Sequence, residues 1–391
     1  MEISRRQLVG GAAGMAVLSS SAAKAALALP KAPVALNIVD VAGNLALTKP
    51  AFEAYRMANP HLVSAINYTQ APAPELPGKI KAEQDAKKVD IDLVLTGTDA
   101  LAAGIEQNLY IDLMGEYAAD LPKLDGLLNK GGAMMQTMAQ GKGLVVAYYP
   151  SGPLLEYMPD AVKNPPTSPA ELLAWAKANP NRFIYGNPAN SGPGRTFIMG
   201  LPYLLGDKDP KDPIKGWDKT WAYLAELGKY IEYYPAGTGP TMKELGEGTR
   251  DMIISTTGWD INPRVLGVVP KEAKISAFKG FHWVIDGQFM CIPKGISADK
   301  IAVLIHLMNY MMTKPAQAVT YDQGYFYPGP AIKGVPISMA PAASQKAIAD
   351  FGRPEYDKMI EDHPMELPLD AKPMVAAFAK WDQEIGSKKK K

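Results

Sequence analysis

The sequence predicts an α/β protein built from two lobes with a cleft between them. Two observations carry this prediction. Short apolar strands alternate with helical segments, which is typical of a mainly parallel sheet covered by helices, and this pattern occurs twice, with a return of the chain near residues 286–293. The chain of 391 residues is also longer than one hydrophobic core usually supports.

Residues 1–25 have the layout of a bacterial export signal. Arg5 and Arg6 give a positive start, an uncharged run follows, and Ala23-Lys24-Ala25 places small residues on both sides of one position. The adjacent arginines fit the twin-arginine variant, but general secretion stays open because Leu8-Val9 departs from the usual twin-arginine pattern. The uncharged run is shorter than the roughly 20 residues of a membrane span, so we expect cleavage and a periplasmic location.

Composition excludes several functions. The chain has 41 basic and 40 acidic residues, a balance that argues against a nucleic-acid binder, and the run 388–391 is interpreted as a solvated tail or a cloning remnant. The single cysteine, Cys291, excludes an intramolecular disulfide and fits a small core residue. Four scattered histidines and the absence of nucleotide-binding or nucleophile motifs predict no cofactor and no resident metal. We expect a monomer.

Strands and helices alternate through the first lobe. Apolar or alternating runs predict strands over 34–40, 61–69, 91–95 and 143–149, and helical spacing predicts helices over 46–59, 75–88 and from Ala100. We assign 33–145 and about 290–336 to lobe 1, because the chain returns to it after the second set of strands.

The second set of strands and helices defines lobe 2, residues 146–289. Ser168 and Pro169 predict the start of a helix over 170–178. Further strands are predicted over 183–185, 252–256 and 284–292, and further helices over 217–230, 301–313, 340–350 and 373–385. Residues 337–391 are assigned to C-terminal helices and the lysine tail.

Five segments in order give the chain a family resemblance. They are Asp92–Thr98 with Asn108–Leu113, Pro165–Leu173, Gly246–Ile253, Ile292–Ile296, and Leu307–Met312 with Gln323–Tyr325. Together they resemble the periplasmic solute-binding proteins of ABC importers, the group that includes polyamine, ferric-ion and thiamine binders. The resemblance implies a periplasmic-binding-protein fold that closes on a small polar solute and delivers it to a permease in the membrane. It implies no chemistry on the solute.

The loop 187–195 is the first candidate contact with a solute. It follows a predicted strand and is expected to open a helix at Thr196, where backbone N–H groups, Ser191 and Arg195 could receive a carboxylate or phosphate. The alternative is an ordinary turn with Arg195 in a surface ion pair.

Two tryptophan–aspartate pairs are the next candidates. Trp259 could stack on a solute and Asp260 could pair with an amine, or the two could be a buried Trp beside a helix-capping Asp. The resembling polyamine binders carry Trp-x-Asp before the return crossing, whereas this chain has Trp283-x-x-Asp286. In a strand, that spacing puts the two side chains on opposite faces.

Further candidates lie at predicted lobe edges: Asp40, Asn44, Thr98, Asp99, Tyr149 and Tyr325. The preferred hypothesis is a solute-binding protein that feeds an ABC importer, with a cationic amine slightly favoured over a carboxylated, phosphorylated or zwitterionic solute. An exported enzyme and a sensory solute receptor are the alternatives.

Overall fold

The computed structural model describes residues 27–41, 43–71 and 75–389. The predicted export signal and the last two lysines lie outside these ranges. Within them, no helix is long and apolar enough to cross a membrane.

Three stretches of chain supply the helices and strands. The first contains β1 (Val34–Asp40), α1 (Asn44–Ala58), β2 (Val63–Gln70), α2 (Leu76–Asp85), β3 (Leu93–Thr96), α3 (Thr98–Glu106), α4 (Leu113–Glu116), α5 (Lys130–Met138) and β4 (Leu144–Gly152). The second contains β5 (Leu154–Tyr157), α6 (Pro169–Ala178), β6 (Phe183–Ile184), α7 (Gly192–Leu205), α8 (Asp218–Gly228), α9 (Thr238–Gly246), β7 (Met252–Ser255), α10 (Thr257–Val265), β8 (Lys274–Ser276) and β9 (Trp283–Cys291). The third contains α11 (Ala298–Met311), α12 (Lys314–Val319), β10 (Gly329–Pro330), α13 (Ala342–Phe351), α14 (Glu355–Asp362), β11 (Met365–Glu366) and α15 (Ala371–Trp381). Short 3-10 turns cover Asp322–Gly324, Ile337–Met339 and Ser387–Lys389, and a π-helical turn, Asp382–Gly386, follows α15.

The larger sheet has the strand order β10-β4-β9-β3-β1-β2, with β11 paired to β9. Strands β2, β1 and β3 run parallel, as expected when helices connect them. The pairs β4–β9, β3–β9 and β10–β4 are antiparallel. The sheet is therefore mixed rather than mainly parallel, because β4 and β9 carry the chain in opposite directions between the two sheets.

The smaller sheet has the order β6-β7-β5-β8. The chain enters it from β4 through Gly152 and leaves it before β9, so β4 and β9 connect the two sheets. Every residue of both strands is buried, and buried Cys291 ends β9. The prediction of two α/β units is confirmed, and the exact lobe limits stay a prediction.

Helix α7 begins four residues earlier than the sequence predicts. Ser191 is its N-cap, because the Ser191 hydroxyl accepts a hydrogen bond from the Gly194 N–H at 3.3 Å. Pro193 fits the first helical turn, where its missing N–H costs nothing. Arg195 consequently lies inside the helix rather than in the preceding loop.

The C-terminal segment lies across both sheets. Strand β11 pairs in parallel with β9, and the indole N–H of Trp283 donates to the Met359 carbonyl of α14 at 3.0 Å. Helix α13 packs on α10, and α15 packs on α3. At its end, buried Trp381 donates its indole N–H to the Tyr185 hydroxyl at 3.0 Å, beyond the smaller sheet.

Candidate functional site

The candidate site lies where β4 and β9 pass between the sheets. Helices α1, α3 and α10 each begin directly after a strand of one of the two sheets. In α/β proteins the crevice outside the carboxyl ends of the strands is the usual ligand site. At this place Tyr149 of β4 stands directly opposite Asp286 of β9.

Asp286 is held from both sides of this crossing. One carboxylate oxygen accepts a hydrogen bond from the Thr98 hydroxyl of α3 at 3.1 Å, and the other pairs with Arg195 Nη2 of α7 at 2.6 Å. The side chains of Arg195 and Asp286 are 7% and 2% exposed, so this is a buried ion pair. Burial and the neighbouring Asp286 carboxylate raise the pKa of Tyr149 well above its usual value.

Ser191 has two structural roles beside this ion pair. Its hydroxyl caps α7 and lies 2.9 Å from the Thr238 hydroxyl. Both hydroxyls are buried. Arg195 pairs with buried Asp286 of β9, so its ion pair is not the surface one considered from the sequence.

Four aromatic side chains line one side of the region, and we call them the aromatic wall: Tyr149, Trp259, Tyr325 and Phe326. Phe326 stacks between Tyr149, at 4.7 Å between ring centroids, and Tyr325, at 4.1 Å. Trp259 meets Tyr325 edge-on at 5.5 Å. Trp259 and Tyr325 are only partly buried, so these two rings can contact a solute.

Phe326 is a site residue that the sequence reasoning missed. Its φ of +53° is unusual for a bulky residue, and such strained residues cluster at ligand sites. The available signal in the sequence is the aromatic pair Tyr325-Phe326, because Tyr325 ends the segment Gln323-Gly-Tyr325 that carries part of the family resemblance.

Asp40 and Asn44 bring the first turn of α1 to the same region. The Asp40 carboxylate accepts from the N–H groups of Asn44 at 2.9 Å and Leu45 at 3.3 Å. Gly43, at φ +77°, lies so close to Tyr325 that a Cβ there would stand 2.5 Å from the Tyr325 hydroxyl. The Asp40 charge adds to burial in raising the pKa of Tyr325. Tyr325 thus contacts chain from both sheets, Gly43 on one side and Trp259 on the other.

Asp260 belongs to a different cluster. Its carboxylate accepts hydrogen bonds from Arg264, from Arg353 at 2.7 and 3.0 Å, and from the Tyr356 hydroxyl at 2.7 Å. Consecutive residues of a helix point about 100° apart, so Trp259 can face the cleft while Asp260 faces the C-terminal segment. The structure therefore does not bring Asp260 to the aromatic wall.

Trp283 is also absent from the aromatic wall. It is fully buried, it meets Phe281 edge-on at 4.8 Å, and its N–H bonds to Met359 of α14. Asp286, three residues along β9, bonds instead to Thr98 and Arg195. The different neighbours agree with the opposite faces expected for that spacing. The side chain of Asp99 lies outside the described part of the structure.

Glu156 is a second residue that the sequence reasoning did not single out. It is fully buried on β5, and burial together with the Asp260 charge raises its pKa to about 8. The guanidinium groups of Arg264 and Arg353 act in the opposite direction. Nothing in the local sequence Leu154-Leu-Glu-Tyr157 indicates this environment, which depends on α10 and on Arg353 between α13 and α14.

Residues 27–41, 43–71 and 75–389 contain no group of three or more histidine, cysteine, aspartate and glutamate side chains that could hold a metal ion. The chemistry that the site does offer is aromatic stacking, carboxylate contacts and hydrogen bonding.

Comparisons with known proteins identify the family and the fold. A family model described as bacterial extracellular solute-binding protein matches residues 50–349. A putative spermidine/putrescine ABC transporter from Listeria monocytogenes has a similar structure, with a TM-score of 0.61 and 14% identity over 90% of this chain and 98% of that one. A periplasmic thiamin-binding protein gives a TM-score of 0.60 and 16% identity over 93% and 100%. Apo ferric ion-binding protein A of Pasteurella haemolytica gives 0.58 and 14% over 90% and 97%.

A search among curated proteins found no sequence significantly similar to this one. At the identities above, the structural likeness concerns the fold alone. It confirms the periplasmic-binding-protein fold predicted from the sequence motifs.

Proposed function

Because this chain belongs to the bacterial extracellular solute-binding proteins, we propose that it captures a small polar solute between its lobes and delivers it to the permease of an ABC transporter. Family membership confirms the prediction of a binding protein and argues against the alternative of an exported enzyme. A periplasmic location and a monomeric state are parts of this proposal.

The proposed solute carries a cationic amine. The observation that supports this choice is the partly exposed pair Trp259–Tyr325 beside the Asp40 carboxylate. A cation over an aromatic face contributes about 0.5–2 kcal/mol, more when water is excluded. Asp286 already pairs with Arg195 and Asp260 lies in another cluster, so Asp40 and the aromatic wall are the proposed contacts.

The similar structures support a range of solutes rather than one. The Listeria monocytogenes protein is named for spermidine and putrescine, and the other two for thiamin and ferric ion. Spermidine, putrescine and thiamin are organic cations, which agrees with the proposed chemical class.

Capture would shift an open–closed equilibrium. Tyr325 touches Gly43 and Trp259, which follow strands of different sheets. A solute that contacts both sides only when they are close together stabilises the closed form by that difference in affinity.

A thermal-shift screen of the mature chain tests the proposal. Putrescine, spermidine and thiamine are compared with amino acids, sugars, phosphate esters and ferric ion, since binding to the native state raises the unfolding midpoint. We expect the largest shift with an amine and its loss in Trp259→Ala. Trp175→Ala is the control and should keep the shift, since Trp175 is also a partly buried tryptophan but lies on α6. A shift with sugars or phosphate esters alone would contradict the cationic class.

A further inference from the structure

Two buried side-chain oxygens on the larger-sheet side of the cleft have no hydrogen-bond donor among the residues that the structure describes. They are Asn44 Oδ1 and Gln288 Oε1. Asn44 is fully buried and Gln288 is 2% exposed. Leaving a buried acceptor unsatisfied costs about 1–3 kcal/mol, so each of these oxygens indicates a place for a group that arrives with donors.

The orientation of the Asn44 amide is fixed by its other end. Its Nδ2 donates to the Phe289 carbonyl at 3.3 Å, and turning the amide over would set two acceptor oxygens against each other. Oδ1 is therefore the end of the amide that remains without a donor among the described residues. The same hydrogen bond places the Asn44 side chain over β9, one residue from Gln288.

Gln288 shares a strand face with the ion-paired Asp286. Side chains two residues apart in a strand point to the same face, and Ala147 of β4 stands directly opposite Gln288. Ala147 packs in one cluster with Tyr149, Phe326 and Leu47, the last of which lies one turn after Asn44 in α1. Asn44 and Gln288 thus flank the aromatic wall on the larger-sheet side.

The charges at this corner favour a cation. The Asp40 carboxylate precedes α1 and influences Tyr325, whereas the Asp286 carboxylate on β9 is already paired with Arg195. The hydroxyls of Ser151 and Thr256, which have no partner among the described residues, can donate or accept, so they do not discriminate between solutes. Two amide oxygens and the Asp40 carboxylate beside aromatic rings match a group with positive charge and several N–H donors.

We infer that this corner holds a primary ammonium group of the solute, with Asn44 Oδ1 and Gln288 Oε1 accepting its N–H protons. The inference rests on the proposed function, since it requires a cationic solute in the cleft. It adds a selection rule: a primary ammonium is bound well, and a quaternary ammonium of the same charge is not, because it has no N–H to donate.

Binding of 1,4-diaminobutane and of its bis-quaternary hexamethyl analogue, measured by calorimetry on the mature chain, tests the rule. We expect the quaternary analogue to bind at least about tenfold more weakly, as a lost hydrogen bond to a charged group implies. Equal affinity for the two probes would overturn the inference and leave the proposed function intact. No binding of any amine would overturn both.

Two variants of Gln288 test which residue causes the effect. Gln288→Met keeps the volume and removes the acceptor, so we expect about tenfold weaker binding of 1,4-diaminobutane and an unchanged or higher unfolding midpoint without ligand. Gln288→Glu keeps an acceptor oxygen and should retain binding. Unchanged affinity in Gln288→Met would contradict the assignment.

Gln317→Met is the matched control. Gln317 is equally buried, but its amide accepts from Ala331 N at 2.8 Å and donates to the Val146 and Met311 carbonyls at 2.9 Å. We expect a lower unfolding midpoint and unchanged affinity for 1,4-diaminobutane in the folded protein. The two methionine variants should therefore have opposite signatures, which separates a ligand contact from a structural one.

Discussion

The chemistry of each buried carboxylate in this protein is decided by its neighbours. Asp286 is balanced by Arg195 and Thr98 at the crossing between the sheets, whereas Asp260 is balanced by two arginines and a tyrosine beside the C-terminal segment. Glu156 is fully buried, and burial together with the Asp260 charge raises its pKa. These differences give two predictions for single residues.

Asp286→Asn should destabilise the protein by about 3–5 kcal/mol, the usual cost of breaking a buried ion pair. The amide retains hydrogen-bonding ability but leaves the buried Arg195 charge without the carboxylate. Urea unfolding monitored by tryptophan fluorescence measures the change. Lys346→Met, which breaks an exposed pair with Asp350, is the control and should stay within about 0.5 kcal/mol. An equally small effect for Asp286→Asn would mean that the ion pair adds no stability.

Glu156→Gln should stabilise the protein at alkaline pH. The folded-state pKa of Glu156, about 8, lies above the ordinary value of 4.5, so the folded state binds the proton more tightly than the unfolded state. Stability from this group is complete below pH 4.5 and is lost as the pH rises through 8. We expect the advantage of Glu156→Gln to grow across that window by on the order of 1 kcal/mol per pH unit and to level off above it.

Denaturant unfolding at a series of pH values measures this advantage. Exposed Glu361→Gln serves as the control and should show a pH-independent difference within about 0.5 kcal/mol. A stability difference between Glu156→Gln and the unchanged protein that does not vary with pH would contradict the raised pKa.

At the scale of elements, local sequence rules predict the approximate limits of many helices and strands, but not α5, α9, α12 or α14, and not which elements pack together. Ser168 was predicted as the N-cap of α6, and its hydroxyl does accept the Glu171 N–H at 3.2 Å. The same rules missed the start of α7, because the Gly- and Pro-rich stretch before Thr196 reads as a loop. The Asp260–Arg353 contact joins residues 93 positions apart, and no local pattern encodes such a pairing.

The packing of α10 against the 325–326 segment depends on Gly258. A Cβ at this position would stand 2.6 Å from the Phe326 Cα, which is backbone and cannot turn aside. Gly258→Ala should therefore push the 325–326 segment away from Trp259, weakening solute binding and lowering the unfolding midpoint. Calorimetric titration and thermal unfolding of the same preparation measure both effects.

The matched control is Gly239→Ala in α9, where nothing lies within 4 Å of the added methyl group. Alanine has the higher helix propensity, so this variant should be neutral or more stable by up to about 1 kcal/mol. If Gly258→Ala behaved in the same way, the close approach of Phe326 would not be needed for binding.

For the whole molecule, the alternation of strands and helices predicts the class of fold because each unit must bury an apolar face. The order of strands in the sheets could not be read in this way. Strand β9 lies between β3 and β4, and β11 adds to it from the far end of the chain. These strands pair although more than 70 residues separate them along the chain. The sequence of one chain has no local signal for such a pairing.

The connections between the sheets favour a hinge motion on solute binding. Strands β4 and β9 link the two sheets, and the C-terminal segment attaches to β9 itself through β11 and the Trp283–Met359 hydrogen bond. The C-terminal segment also packs α15 on α3 and bonds Trp381 to Tyr185, so closure must keep or rearrange these contacts. In contrast, Tyr325 contacts Gly43, which follows a strand of the larger sheet, and Trp259, which follows a strand of the smaller sheet. A rotation that opens the cleft would separate these contacts.

Small-angle scattering of the mature chain should consequently give a smaller radius of gyration with saturating solute than without it. The expected change reflects a population shift toward the closed form. Trp259→Ala supplies the control, since a variant that binds the solute weakly should keep the larger radius at the same solute concentration. A solute that binds tightly, by calorimetry, without any change in radius would instead indicate a rigid, preformed site. In that case the Tyr325 contacts would be permanent packing between the two sheets, and affinity would come from the aromatic wall alone rather than from closure.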